Sequence, residues 1–178
     1  MKALVIVDMQ MEMLHRMEAG RDHVNPAAPE RIAELAGAFR REGFPVIHVR
    51  HCASDAGLPF HPEAPGFQPM PCDLSEEGEA VFLKRASSAF SGTDLERHLR
   101  ERGITDLVVT GAVAGFCVNS TVRAGSDLGF KMTVVRDAVI GFDEPSSGIP
   151  ARRIFDVTMA LLEADFAKVC DTSDVIAR

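Results

Sequence analysis

The sequence predicts a three-layer α/β/α protein built on a doubly wound, mostly parallel sheet of six strands. Apolar, β-branched runs alternate with amphipathic stretches along all 178 residues, which is the pattern of repeated β-α-β units. The first run, residues 3–7, is apolar without interruption, as expected for a strand covered by helices on both faces. No linker, repeat or change of composition divides the chain, so we expect one domain over residues 1–178.

Six apolar runs are the predicted strands. They cover residues 3–8, 44–50, 80–84, 106–110, 132–136 and 166–170. Between the second and third runs, residues 51–78 are rich in proline and glycine and show no periodicity. A loop of this length inside a compact domain is usually functional. We therefore expect residues 51–78 to cover a site or to make contacts between molecules.

Four amphipathic stretches are the predicted helices. They lie at residues 25–43, from 93 onward, at 117–128 and from 150 onward. The second opens with Thr-Asp-Leu-Glu from Thr93 to Glu96, a capping-box pattern in which a hydroxyl and a carboxylate satisfy backbone amides reciprocally. The last has Ile154, Val157 and Leu161 as its apolar positions.

The composition excludes several classes of protein. Nineteen basic residues against 26 acidic ones give a net charge of −7, whereas nucleic-acid binding needs a surplus of lysine and arginine. Asp8 ends the first apolar run, far short of the roughly 20 residues of a membrane span. We therefore expect a cytoplasmic protein that binds neither nucleic acid nor membrane. The four cysteines form no C-x-x-C pair, so neither a disulfide framework nor a thiolate zinc site is predicted.

Three residues with different chemistry fall at the carboxyl ends of predicted strands. Asp8 ends the first strand, Lys84 ends the third, and Cys117 begins the helix that follows the fourth. Ligands of open α/β sheets bind at this edge, because the strand ends converge there. We therefore expect the carboxylate, the ammonium and the thiol to lie around one crevice.

The reactivity of a thiol depends on its ionisation. A helix N-terminus or a nearby cation lowers the pKa of a cysteine, and both are possible for Cys117. The preceding residues 111–115 are Gly-Ala-Val-Ala-Gly, and such small residues let backbone amides approach a substrate oxyanion closely. Taken singly, each residue also has a simpler interpretation. Cys117 could be a small buried hydrophobe, Asp8 a turn cap and Lys84 a solvated charge.

Three segments carry a resemblance to a known family. They are residues 3–10 (Ala-Leu-Val-Ile-Val-Asp-Met-Gln), residues 84–95 (beginning Lys-Arg-Ala-Ser-Ser-Ala-Phe) and residues 110–130 (containing Gly-Ala-Val-Ala-Gly-Phe-Cys-Val). In this order and spacing they resemble the isochorismatase-like cysteine hydrolase superfamily, over essentially the whole chain. The resemblance implies the isochorismatase-like hydrolase fold and a catalytic triad of Asp8, Lys84 and Cys117.

The resemblance also implies further details of the site. It implies a cis peptide bond between Ala112 and Val113, and an oxyanion hole formed by the amides of Val113 and Cys117. Family members that hydrolyse isochorismate lack the cysteine, so Cys117 favours the amidase branch. The candidate substrate-pocket residues are Gln10, His51, Phe90 and Phe116.

Two departures from the family pattern lie in the turn before the cysteine. The family often has Thr or Ser where this chain has Ala114, followed by an acidic or polar residue where it has Gly115. We therefore expect the hydrogen bonding of this turn to differ from that of relatives.

A metal site is allowed by the sequence but not favoured. Nicotinamidases of the superfamily carry an Asp-x-His metal motif after the second strand, and this order is absent here. His51, Asp55 and His61 form a chemically possible set of divalent-metal ligands, yet loop histidines more often face solvent or substrate. The expected cofactor is none.

These observations predict an amidohydrolase that cleaves a C–N bond of a small, non-peptide amide or ureide. Asp8 deprotonates Cys117, the thiolate forms a thioester with the substrate, and Lys84 orients the carboxylate. One alternative is an isochorismatase-like hydrolase of another small substrate. Others are a thiol redox protein and a non-catalytic binding protein. The resemblance also implies a homo-oligomer, a dimer or a tetramer.

Overall fold

The computed structural model describes residues 1–177; Arg178, the last residue of the predicted domain, lies outside the described residues. The strands in this part of the chain are β1 (Lys2–Val7), β2 (His23–Val24), β3 (Val46–His51), β4 (Ala80–Lys84), β5 (Asp106–Ala112), β6 (Lys131–Phe142) and β7 (Lys168–Cys170). The helices are α1 (Met11–Glu18), α2 (Ala28–Arg41), α3 (Leu95–Glu101), α4 (Asn119–Asp127), α5 (Ala151–Asp165) and α6 (Thr172–Ile176).

A single mostly parallel sheet organises these strands. Their order is β2-β6-β5-β1-β3-β4, with β7 also paired to β6. All pairs are parallel except β2 with β6, so the predicted α/β fold class is confirmed. The six predicted strands correspond to β1 and β3–β7. Strand β2 has only two residues, too short for an apolar run to reveal it.

Helices cover both faces of the sheet. Alternate residues of β1 enter two separate apolar clusters, because successive side chains of a strand point to opposite faces. Helices α3, α4 and α5 pack into one cluster, and α1 and α2 into the other. No helix within residues 1–177 is long and apolar enough to cross a membrane.

Two helices differ from the prediction. Helix α1 was not predicted, because its sequence Met-Glu-Met-Leu-His-Arg-Met-Glu buries only Met13 fully. The capping box at Thr93 does not form. The Thr93 hydroxyl instead donates to the carbonyl of Ala89 at 2.6 Å and accepts from the amide of Leu95 at 3.3 Å, and the N-cap of α3 is Asp94, one residue later than the pattern suggests.

The buried face of α5 is not marked by the apolar positions named from the sequence. Two of the three, Val157 and Leu161, are 54% and 52% exposed. Phe155, Met159 and Leu162 are buried instead. The helix carries apolar residues on two faces, and periodicity alone cannot tell which of them packs on the sheet.

Strands β1 and β5 are neighbours in the sheet. Their adjacent carboxyl ends bring together the residue that follows β1 and the turn that follows β5. Val7 and Gly111 are register partners, and Gly111 has a φ of +119°. A Cβ at Gly111 would overlap the backbone of Val7, so only glycine permits this close approach. Asp8, the next residue after β1, has a φ of 51°, in the left-handed region that aspartate tolerates better than most residues.

A buried charged network ties the end of the 51–78 loop to β3. His48 is fully buried, with Nδ1 2.6 Å from Asp73 Oδ1 and Nε2 3.0 Å from Glu79 Oε2. Arg50 and Arg40 donate to Asp73 and Glu79 respectively. His48 is thus a core histidine whose two ring nitrogens both lie within hydrogen-bond distance of a carboxylate.

Candidate active site

The structure brings the side chains of Asp8, Lys84 and Cys117 together at the carboxyl edge of the sheet. Asp8 directly follows β1, and Lys84 is the last residue of β4. Cys117 lies in the π-helical turn Ala114–Val118, which follows β5. Lys84 Nζ lies 2.7 Å from Asp8 Oδ2 and 3.3 Å from Cys117 Sγ. The ammonium therefore contacts both the carboxylate and the thiol.

Burial governs the protonation of this cluster. Asp8 is 2% exposed and Lys84 is fully buried. Burial raises the pKa of Asp8 above its usual value, and the charge of Lys84 opposes this rise. One oxygen of the carboxylate, Oδ2, accepts from Lys84; the other, Oδ1, is buried without a well-aligned hydrogen-bond partner among the described residues. Asp8 Oδ1 is thus the carboxylate oxygen that can accept a proton.

The pKa of the Cys117 thiol is raised, although the sequence allowed a helix N-terminus or a nearby cation to lower it. Burial, followed by the negative charge of Asp8, raises the pKa of Cys117 to about 12, and Lys84 opposes the shift without reversing it. Cys117 is the fourth residue of its turn and not the first residue of an α-helix. The resting site is therefore a neutral thiol beside an Asp–Lys ion pair.

The turn that carries the thiol begins with a cis peptide bond between Ala112 and Val113. The carbonyl of Val113 accepts hydrogen bonds from the amides of Phe116 at 3.0 Å and Val118 at 3.3 Å. A Cβ at Gly115 would lie 2.9 Å from Ile154 Cγ2 on α5. The absence of a side chain at Gly115 is thus linked to the packing of α5, and this turn is held by backbone hydrogen bonds and by packing.

Gln10 is placed behind the site and does not line a pocket. Its side-chain Nε2 donates to the carbonyls of His51 at 3.0 Å and Phe67 at 2.9 Å. Its Oε1 accepts from the amide of His51 at 2.8 Å. Both N–H groups are used and Gln10 is fully buried, so it joins the end of β3 to the 51–78 loop.

The other candidate pocket residues have different surroundings. His51 is the register partner of Lys84, and its Nδ1 lies 3.4 Å from Lys84 Nζ. Phe116, next to the cysteine in the chain, is 53% exposed. Phe90 stacks on Phe130 with ring centroids 5.7 Å apart and packs against the core. His51 and Phe116 thus remain candidates for contact with a ligand.

The possible metal set does not assemble. Within residues 1–177, no group of three or more His, Cys, Asp and Glu side chains is arranged to hold a metal ion. The Nδ1 atom of His51 faces an ammonium, a position unsuited to a metal ligand.

Sequence reasoning missed two parts of this site. The carbonyl of Ala86 accepts from Lys84 Nζ at 3.1 Å, and the ring of Phe60 packs edge-on against His51 at 5.3 Å. The pairing of His51 with Lys84 could have been inferred by aligning the two strand ends. The approach of Phe60, which belongs to an irregular loop, has no signal in the sequence.

The fold and this arrangement define a class of α/β hydrolases with a cysteine at the carboxyl edge of a parallel sheet. The chain belongs to the isochorismatase family, since the model of the isochorismatase domain matches residues 2–174. The uncharacterised isochorismatase family protein YrdC of Bacillus subtilis is 31% identical over 98% of this chain and 94% of its own length.

Solved structures agree with this assignment. A putative hydrolase of the isochorismatase family from Chromobacterium violaceum superimposes with a TM-score of 0.92 at 30% identity, over 99% of this chain and 92% of its own. A shorter similarity extends to an amidase. N-carbamoylsarcosine amidase of an Arthrobacter species is 41% identical over 63 residues, which are 35% of this chain and 24% of that enzyme.

Proposed function

We propose that this protein is a cysteine hydrolase that cleaves a C–N bond of a small, non-peptide amide or ureide through a thioester. The observation that carries the proposal is the contact of one buried ammonium with both the Asp8 carboxylate and the Cys117 thiol. The similarity to an enzyme named as an N-carbamoylsarcosine amidase supports this choice of bond.

The first half of the reaction forms the thioester. Asp8 Oδ1 takes the thiol proton as Cys117 Sγ attacks the substrate carbonyl carbon, and the positive charge of Lys84 stabilises the thiolate. The amides of Val113 and Cys117 donate to the oxyanion. Asp8 then gives its proton to the departing nitrogen, the C–N bond breaks, and the amine or ammonia leaves.

The second half releases the acyl group. Asp8 takes a proton from a water molecule, whose oxygen attacks the thioester carbonyl. The C–S bond breaks, and the thiolate recovers the proton from Asp8. The products are an acid, or a carbamate from a ureide, and the amine. These steps need no cofactor or metal ion.

The raised pKa of the Cys117 thiol helps to choose between acyl transfer and the alternative of a thiol redox protein. Redox-sensing cysteines are accessible and have a lowered pKa, whereas the pKa of Cys117 is raised to about 12. A nucleophile that ionises only as it reacts needs an adjacent base, and Asp8 supplies one. The cluster therefore favours acyl transfer over thiol oxidation. An isochorismatase-like hydrolase of another small substrate would use the same site but would hydrolyse neither primary amides nor N-carbamoyl amino acids.

Removal of the sulfur tests this proposal. We expect Cys117→Ala and Cys117→Ser to lower the release of ammonia from a panel of primary amides and N-carbamoyl amino acids by at least about 10³-fold, because the nucleophile is lost. Cys72→Ala is the matched control and is expected to keep full activity. Intact-mass spectrometry of acid-quenched wild-type enzyme should show an acyl adduct. Undiminished turnover in both Cys117 variants would exclude the covalent route.

A further inference from the structure

His51 shares the ammonium of Lys84 with the reacting groups. Nζ of Lys84 lies 2.7 Å from Asp8 Oδ2, 3.1 Å from the carbonyl of Ala86 and 3.4 Å from His51 Nδ1. The same atom lies 3.3 Å from Cys117 Sγ. The imidazole of His51 and the thiol of Cys117 therefore both contact the ammonium group of Lys84.

This contact decides which ring nitrogen of His51 carries the proton. An ammonium has only donors, so a nitrogen that faces it must be the unprotonated acceptor. Burial, then the charge of Lys84, lowers the pKa of His51, and Asp8 opposes the shift only in part. The ring is therefore neutral near pH 7, with its proton on Nε2.

The imidazole is held in place from two sides. The amide and carbonyl of His51 are both bonded to the side chain of Gln10, which fixes the backbone at the end of β3. The ring of Phe60 packs edge-on against the imidazole. The Nε2 atom has no hydrogen-bond partner within residues 1–177, so the ring that contacts Lys84 through Nδ1 keeps its N–H donor available to a ligand.

We propose that His51 determines substrate specificity by donating a hydrogen bond from Nε2–H to a second carbonyl oxygen close to the scissile amide. This inference rests on the proposed function and narrows its substrate class to ureides and diamides, in which a second acceptor lies within a few bonds of the carbonyl carbon. Substrate binding excludes water from this donor, and a donor shielded from water without an acceptor is unfavourable. Simple alkyl amides are therefore the poorer substrates.

A pair of neutral amides tests the specificity. Malonamide has a second carbonyl, and butyramide has a methylene at the same point of a similar chain. We expect wild-type kcat/KM to be about tenfold higher for malonamide than for butyramide, because one hydrogen bond contributes about this factor. The difference should lie in KM. His61→Asn, in the 51–78 loop, is the matched control and is expected to keep this preference.

Two variants separate the donor from the bulk of the ring. Gln places an N–H at the position of Nε2, whereas Asn places one only at the position of Nδ1. We expect His51→Gln to retain the malonamide preference. His51→Asn should lose it, because kcat/KM falls more for malonamide than for butyramide and the ratio of the two approaches one. A purely structural role would lower the activity toward both amides equally and would contradict the proposal, as would a preference that survives in His51→Asn.

Two further measurements do not depend on catalysis. Nitrogen NMR of the imidazole at pH 7 should show a neutral ring protonated on Nε2 and not on Nδ1; an imidazolium or the opposite tautomer overturns the inference even if the enzyme is an amidase. If wild-type enzyme hydrolyses neither amide, their dissociation constants with the Cys117→Ala variant replace KM. Equal dissociation constants of malonamide and butyramide with Cys117→Ala would overturn the proposed role of His51 in specificity. The proposed hydrolase activity would still be tested separately by the Cys117 variants.

Discussion

Lys84 is a fully buried cation whose charge is balanced chiefly by Asp8. Bringing two charges out of water is costly, and the pair is tolerated because the ions contact each other at 2.7 Å. The loss of one partner should therefore cost more than the loss of both.

A double-mutant cycle on the ion pair tests this balance. We expect Lys84→Met to lower the free energy of unfolding by about 3–5 kcal/mol, because it leaves Asp8 buried without a counter-charge. The combined variant Asp8→Asn and Lys84→Met should regain a large part of that loss. Urea unfolding at pH 7 measures both, and neither variant should hydrolyse amides. An unchanged stability of Lys84→Met would show that water reaches Asp8.

At this scale the sequence predicted which residues meet but not their protonation. Asp8, Lys84 and Cys117 could be predicted to converge because each ends or follows a parallel strand. The raised pKa of Cys117 and the placement of Gln10 could not. Both depend on how much water is excluded and on atoms contributed by loops, which no local pattern records.

Helix α5 shows how burial is decided at the level of one element. Two adjacent leucines have opposite environments, since Leu162 is fully buried and Leu161 is 52% exposed. Both match an apolar helical periodicity. The sheet against which α5 packs, and the close approach of Ile154 to Gly115, select the face that is buried.

Truncation of the two leucines provides a matched pair. We expect Leu162→Ala to lower the free energy of unfolding by about 2–5 kcal/mol, because it leaves a cavity in the core. Leu161→Ala should change it by less than about 0.5 kcal/mol. Chemical denaturation of both variants measures the difference. Equal losses would mean that the exposed face of α5 is covered in solution.

On the scale of the whole molecule, the edge strand β4 leaves apolar surface uncovered. Val81 and Leu83 are 41% and 52% exposed, and β4 ends the sheet. Exposed edges with apolar side chains are sites of strand addition. The acidic Glu77 precedes β4 and the basic Arg85 follows it, so an antiparallel second copy would bring opposite charges together.

Self-association along β4 is therefore the expected form of the homo-oligomer that the resemblance implies. We expect light scattering to give at least a dimeric mass for the wild type and a monomeric mass for the combined variant Val81→Lys and Leu83→Lys, with unchanged circular dichroism. Like charges facing each other across the paired strands oppose association. Val157→Lys with Leu161→Lys on α5 is the control and should keep the wild-type mass. A monomeric wild type contradicts the prediction.

The sequence by itself determined the alternation of strands and helices, the parallel sheet and the convergence of three reactive residues at one edge, because these follow from local periodicity and from the rules of chain connection. Only the tertiary structure decided the buried face of α5, the raised pKa of the Cys117 thiol and the contact of His51 with Lys84. Those properties arise from distances and water exclusion between segments far apart in the chain, and they become defined only when the chain is packed.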